Sequence, residues 1–208
     1  MIAKTPSSGS APAVRLSGRA GGAQSDRVTT SDSPARRPPE VLERWRTPAG
    51  VELTIRPVAA DDAGRELRFL ESLSTQTRYE RVFSHRGLLR PGELRQLVRF
   101  DVRREIALLA AARGSAGEEI VAVARLKKSA DGSACEFAIV VGDAWQRQGV
   151  GGRLLERLLA VAKLAGIRRV DGVTLATNTA MKALCRRIGF QLRPDPADAT
   201  VTLLSIDV

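Results

Sequence analysis

The stretch CEFAIVVGDAWQRQGVGGRLLERLL, residues 135–159, decides the fold. It opens as an apolar run, passes through a polar turn and becomes an amphipathic helix. In a strand, side chains alternate faces. Cys135, Phe137, Ile139 and Val141 then point one way, and Ala134, Glu136, Ala138 and Val140 the other. After the turn the apolar positions change period, to Val150, Leu154, Leu158, Val161 and Ala165, which is the stripe of a core-facing helix ended by Gly166. Gly149, Gly151 and Gly152 fall at the helix start. Backbone N–H groups there lack intrahelical partners, and the helix dipole favours negative charge. Glycine lets a phosphate approach the backbone closely. Gln146, Arg147 and Gln148 add side-chain donors. The alternative reading of the junction is a solvated turn.

Three strands on short turns lead up to this junction: REIALLAAAR, IVAVARLKK and ACEFAIVV, which form an antiparallel meander. Upstream, VLERWRT and VELTIRPV read as strands around PAG. AADDAGRELRFLESLS has Leu67, Leu70 and Leu73 at helical spacing, STQTRYERVF continues helical, and RPGELRQLVRF predicts another helix with Leu94, Leu97 and Val98. Downstream come a strand (RRVDGVTLAT), a short helix (NTAMKALCRRI) and strands from GFQLR and ATVTLLSIDV. The order predicts an α+β fold, a mixed and mostly antiparallel sheet flanked by helices. Residues 1–40 are rich in Ser, Pro, Gly, Ala and Arg and are expected to be a disordered basic tail, with one domain over 41–208.

Composition excludes several classes. Of the 208 residues, 43% are hydrophobic, and no run approaches the roughly 20 apolar residues of a membrane span. The opening residues lack a signal-peptide core, which predicts a cytoplasmic protein. Two cysteines and one histidine are too few for a disulfide framework, a zinc site or a Ser-His-Asp triad, so no metal is expected. The net charge of +10 is spread along the chain, with eight Lys/Arg against four Asp/Glu in residues 1–47. It favours acidic partners such as polyphosphate cofactors, and it equally serves plain solubility.

No Walker loop occurs, and from Gly149 a dinucleotide fingerprint would need glycine where Leu154 stands. The string present is Q-x-x-G-x-G, Gln146 to Gly151, between a strand and a helix. It resembles the acyl-CoA pyrophosphate arm of the GCN5-related N-acetyltransferases. AMKALCRRIGF resembles that family's late helix, and the element order matches over about residues 50–208. LTIRPVAADDAGRELRFLESLSTQTRYERVFS, EIALLAA, VAVARL and CEFAIVVGDAWQRQGVG resemble more narrowly the acetyltransferase domain of bacterial protein lysine acetyltransferases.

The resemblance implies acetyl-CoA as co-substrate. Gln146, Arg147, Gln148, Gly149, Val150, Gly151 and Gly152 then hold its pyrophosphate. Two neighbouring strands splay, and backbone groups of Ile139, Val140 and Val141 bond its pantetheine. Asn178 contacts the pantetheine as well as serving as an N-cap. Acetyl transfer to an amine needs a base, because an ammonium is not nucleophilic. Glu136, alone among apolar residues and flanked by alanines, is expected to be desolvated and basic. The resemblance gives a glutamate on this strand that role. The alternative is a sheet-edge pair with Arg125. At the position of the family's usual tyrosine acid stands Cys185, expected to be a small core residue, so no general acid is named. His85 is read as a surface residue, and Trp145 as packing under the loop.

The acceptor implied by the narrower resemblance is a protein lysine, for example on an acyl-CoA synthetase, with residues 61–100 shaping the acceptor side. A small-molecule amine is the rival acceptor. A non-catalytic acetyl-CoA sensor or a basic nucleic-acid-binding protein is the rival class. Aromatics at 4% and the lack of a reading motif weigh against specific nucleic-acid recognition.

Overall fold

The computed structural model describes residues 42–83, 105–115, 117–128 and 135–208. The expected tail over 1–40, the helix from RPGELRQLVRF and His85 lie outside the described residues. The elements in chain order are β1 (Glu43–Arg46), β2 (Glu52–Pro57), α1 (Ala63–Ser72), α2 (Thr75–Phe83), β3 (Glu105–Gly114), β4 (Gly117–Lys128), β5 (Cys135–Val141), α3 (Val150–Leu164), β6 (Arg169–Leu175), α4 (Thr179–Ile188), β7 (Gln191–Pro194) and β8 (Val201–Asp207). Together the strands form one eight-stranded sheet in the order β1-β2-β3-β4-β5-β6-β8-β7. The expected meander is present, and among the described residues β5 with β6 is the one parallel pair in the sheet. Each α-helix covers a face of this mixed sheet. None of the described helices is long and apolar enough to cross a membrane.

The β3–β4 hairpin runs further than its apolar residues suggest. Gly117, Glu118 and Glu119, read as turn, extend β4 and pair with Gly114, Arg113 and Ala112. Ladder hydrogen bonds are backbone bonds, so polar residues continue a strand once its register is set. A bulge between Ala110 and Ala111 shifts that register by one residue.

Alternation sorts the strands' side chains into two cores. On one face Leu53, Ile55, Leu108, Ala124, Leu126, Phe137 and Ile139 meet Leu154, Leu155 and Leu158 of α3, with Cys185 of α4 completing the cluster. On the other, Val58, Ala107, Leu109, Val123 and Val140 meet Phe69, Leu70 and Leu73 at α1. Ions join this second layer. Arg56 grips Asp62 with two bonds (2.7 and 2.8 Å) and donates to Glu118. Arg125 grips Glu66 with two more (2.8 and 2.7 Å) and reaches Glu105 at 3.3 Å. Arg56, Asp62, Glu66 and Arg125 are all buried.

Candidate functional site

β5 pairs with β4 along its whole length, from Cys135 opposite Lys128 to Val141 opposite Ala122. With β6 it pairs only at Cys135–Val170 and Glu136–Asp171. Beyond that point the strands diverge, so the β6-facing backbone groups of β5 from Ala138 to Val141 have no ladder partner. Phe137 is the wedge. Its ring lies over Gly172 of β6, where a Cβ would stand 2.4 Å from it, and it packs against Phe190 with centroids 5.0 Å apart. Gly172 therefore makes room for the ring that opens the sheet.

A cavity of about 560 Å³ fills the opening, a volume suited to a small-molecule ligand. Phe137 to Val141 form one wall, and Val173 and Thr174 of β6 another. One end is the quoted turn. Arg147 (φ 57°) and Gly149 (φ 84°) both adopt left-handed backbone, which brings the chain round into α3. Gly149 is the N-cap, and no side chain caps this helix. The first helical bond runs from the Arg153 N–H to the Gly149 carbonyl, so the N–H groups of Val150, Gly151 and Gly152 precede any intrahelical acceptor. A Cβ on Gly151 would stand 3.2 Å from Val141, and one on Gly152 2.4 Å from the Arg187 guanidinium. Gly149, Gly151, Gly152, Arg147 and Arg187 all line the cavity. An uncapped helix start, a bare-backbone surface and two guanidinium groups fit a phosphate-bearing ligand.

The expected site residues divide. Ile139, Val140, Val141, Gln146, Arg147, Gly149, Gly151, Gly152 and Asn178 all line this cavity. Gln148 and Val150 present no side chain to it. Gln148 turns back and donates to the Ala144 carbonyl at 2.7 Å, and Val150 is buried in the α3 core. Gln146 donates to Thr77 Oγ1 (3.1 Å) and to the Val141 carbonyl (3.2 Å). Asn178 caps α4, accepting from the Met181 N–H at 2.9 Å, and its amide donates to Glu80 at 3.1 Å.

Glu136 corrects an expectation. It is exposed, not desolvated. Ala138 follows it on the same face of the strand, but its cross-strand neighbours are Lys127 and Asp171, both charged. It occupies the last paired position before the strands part, at the head of the cavity wall. Its charge acts on Arg81, which is buried and lines the cavity. Burial pushes Arg81 down to about 10, repulsion from Arg125 adds to this, and Glu66 and Glu136 pull the other way. Arg125, the partner in the alternative reading, stands opposite Ala138 and holds Glu66 and Glu105.

Cys185 is fully buried as expected, and burial raises its thiol to about 12. A thiol in that state holds its proton within the core, and Cys185 is not among the cavity-lining residues. Trp145 packs against the same core, with its ring by Gly142. Among the described residues no group of His, Cys, Asp or Glu is placed to hold a metal ion.

Sequence reasoning missed Thr77, Glu80, Arg81, Gly172 and Arg187. The signal for Thr77 and Glu80 was present. Ser74, Thr77 and Glu80 recur every third residue, a polar stripe on one face of α2. Gly172 and Arg187 act through partners far away in sequence and left no local trace.

Comparison with known proteins places this geometry. The model of the acetyltransferase (GNAT) family matches residues 71–190, from the end of α1 through the cavity to Phe190. The Pseudomonas aeruginosa protein "Acetyltransferase PA5475" is 31% identical over 151 residues, 73% of this chain and 81% of that protein. "Acetyltransferase Pat" of Mycolicibacterium smegmatis is 28% identical over 135 residues, 65% of this chain but only 40% of that protein. Among solved structures, the GNAT domain of S. lividans PAT superposes with a TM-score of 0.67 at 28% identity, covering 80% of this chain and 96% of that domain. With the splayed strands and the glycine-rich helix start in the matched region, the chain belongs to the GNAT family of acetyltransferases.

Proposed function

We propose that the protein transfers an acetyl group from acetyl-CoA directly to an amine, and that its acceptor is a protein lysine side chain. The opening between β5 and β6, ending at the uncapped start of α3, carries the reading. It offers a strand edge for the pantetheine amides and a cationic, N–H-rich end for the pyrophosphate. Acetyl-CoA supplies an activated thioester carbonyl. The likeness to S. lividans PAT and to Acetyltransferase Pat supports a protein acceptor, as does the sequence resemblance to protein lysine acetyltransferases.

In this reading the N–H groups of Val150, Gly151 and Gly152 take the pyrophosphate oxygens, with Arg147 and Arg187 beside them. The unpaired edge of β5 from Ile139 to Val141 extends the pantetheine along the wall, and Asn178 faces it from the start of α4. Glu136, at the head of that wall, takes the proton of the acceptor ammonium directly or through water, which its exposure permits. The freed amine then attacks the thioester carbon, the C–N bond forms and the nitrogen gives up its second proton to solvent water; the C–S bond breaks, and the leaving thiolate takes a proton from solvent. A β5 backbone N–H meets the developing oxyanion. Arg81, which lines the same cavity, interacts electrostatically with Glu136.

The test follows free thiol on incubation with acetyl-CoA and either acyl-CoA synthetases or polyamines. Synthetase-dependent release that falls about 10²- to 10⁴-fold in Glu136→Gln, with acetyl-CoA binding retained, is the expected result. Release with polyamines alone would move the acceptor to small amines. Unchanged release in the variant would remove Glu136 from the chemistry.

A further inference from the structure

Asp143 stands where the two sides of the proposed site meet. It lies in the first turn after β5, and its carboxylate faces α2, not the loop that follows. One oxygen accepts from the Ser74 N–H at 2.9 Å. The other accepts from the Ser74 hydroxyl at 2.7 Å and the Thr77 hydroxyl at 2.6 Å. Thr77 Oγ1 in turn accepts from Gln146, whose amide also reaches the Val141 carbonyl. A continuous line of hydrogen bonds therefore runs from the N-terminus of α2, through Asp143, to the cofactor loop and the open edge of β5. The partners are 66 to 69 residues apart in sequence, so no local turn requires the contact.

The same face of α2 is held once more at its next turn, where Glu80 accepts from Asn178 at 3.1 Å. Between Thr75 and Arg81 the buried residues of α2 are Thr77 and Arg81, both polar. Over that span the helix is located by directional polar bonds more than by apolar packing. A nine-residue helix is also too short to hold its shape alone. Thr77, Glu80 and Arg81 line the cavity.

We propose that Asp143 is a positioning residue that couples the cofactor loop to α2, so that occupation of the loop orders the acceptor-side helix. This rests on the acetyl-CoA reading of the loop given above. Filling the loop fixes Gln146; Gln146 fixes the Thr77 hydroxyl; and Asp143, bonded to Thr77 and Ser74 together, transmits the restraint to the first turn of α2. Asp143 itself is exposed. Its bonds therefore contribute modestly to global stability, and their consequence is in the linkage between the two sides.

Hydrogen exchange of the 208-residue chain, with and without CoA as the probe, tests the coupling without needing an identified acceptor. In the wild type CoA should slow exchange in residues 146–152 and also in 75–83. In Asp143→Ala and in Thr77→Val the slowing at 146–152 should persist while that at 75–83 drops by about threefold or more. A residue that merely caps α2 would speed exchange in 75–83 equally with and without CoA, leaving the CoA-induced ratio unchanged, and that result would overturn the coupling. So would wild-type protein that binds CoA with no response in 75–83. Wild-type protein that binds no CoA would instead remove the loop reading beneath it. Thr77→Val keeps the test open if Asp143→Ala does not fold.

Discussion

The sheet is closed on its two faces by different chemistry. α3 covers one face with Val150, Leu154, Leu155 and Leu158, all essentially without solvent contact, against an equally apolar sheet surface. The other face has α1 with Phe69, Leu70 and Leu73, and then the buried pairs Arg56–Asp62 and Arg125–Glu66. Apolar contact is strong and non-directional, and it sets how firmly a helix adheres. A bidentate guanidinium–carboxylate pair adds little net stability once desolvation is counted, but it fixes where a helix sits. The apolar face carries the helix whose start forms the loop. The ion-held face carries α1 and, after it, α2, whose Thr77, Glu80 and Arg81 line the cavity, where position within an ångström matters more than adhesion.

The sharpest way to break this comparison is Glu66→Ala. It leaves Arg125 buried without its bidentate partner, and chemical denaturation should show a loss of about 3–5 kcal/mol. A loss under about 1 kcal/mol would mean that the ions are incidental to that face. Leu158→Ala probes the opposite side. A fully buried leucine against a close-packed core should cost about 2–5 kcal/mol, with the KM for acetyl-CoA changing less than stability does. Asn178→Ala comes next. Losing the cap on the Met181 N–H should cost about 1 kcal/mol, read as a lower Tm.

Acid separates the faces by sign rather than size. Burial alone would raise the Asp62 carboxyl, but bonds from Arg56 and the Ala59 N–H, with the charges of Arg56 and Arg65, outweigh it and hold it below its ordinary value. Bonds from Arg56 lower Glu118 in the same way, against a smaller effect of burial. Groups depressed in the folded state contribute stability above their unfolded pKa of roughly 4 and lose it as pH falls through the folded value. Asp62→Asn should therefore flatten the fall of stability with acid below roughly pH 4, whereas Leu158→Ala should leave that slope unchanged. Equal slopes in the two variants would break the assignment of the acid response to the ion-held face.

The quoted junction was legible because the hydrophobic period changes from two to nearly four within a dozen residues, with glycine at the switch. The meander and α3's stripe follow from the same periodicity. What escaped was long-range. Nothing in RRVDGVTLAT says that Gly172 lies beneath Phe137, or that Asp143 belongs with Ser74 and Thr77. Glu136 shows the opposite failure. Its neighbours along the chain are apolar, yet Lys127 and Asp171 beside it across the sheet are not. A strand's environment is set as much by the strands flanking it as by its own sequence.

Trp45 of β1 lies under Gly149, with its ring 3.5 Å from where a Cβ would stand, and Trp145 packs just ahead of the loop. These are the only two tryptophans in the chain. Glu43, two residues before Trp45, pairs with both Arg153 and Arg157 and so holds β1 along the first turns of α3. Every indole in the protein thus borders one turn of backbone. The unlabelled chain carries its own optical gauge of that turn, and a titration followed by tryptophan emission, excited where Tyr79 does not absorb, would read ligand at the start of α3 with no indole elsewhere in the chain.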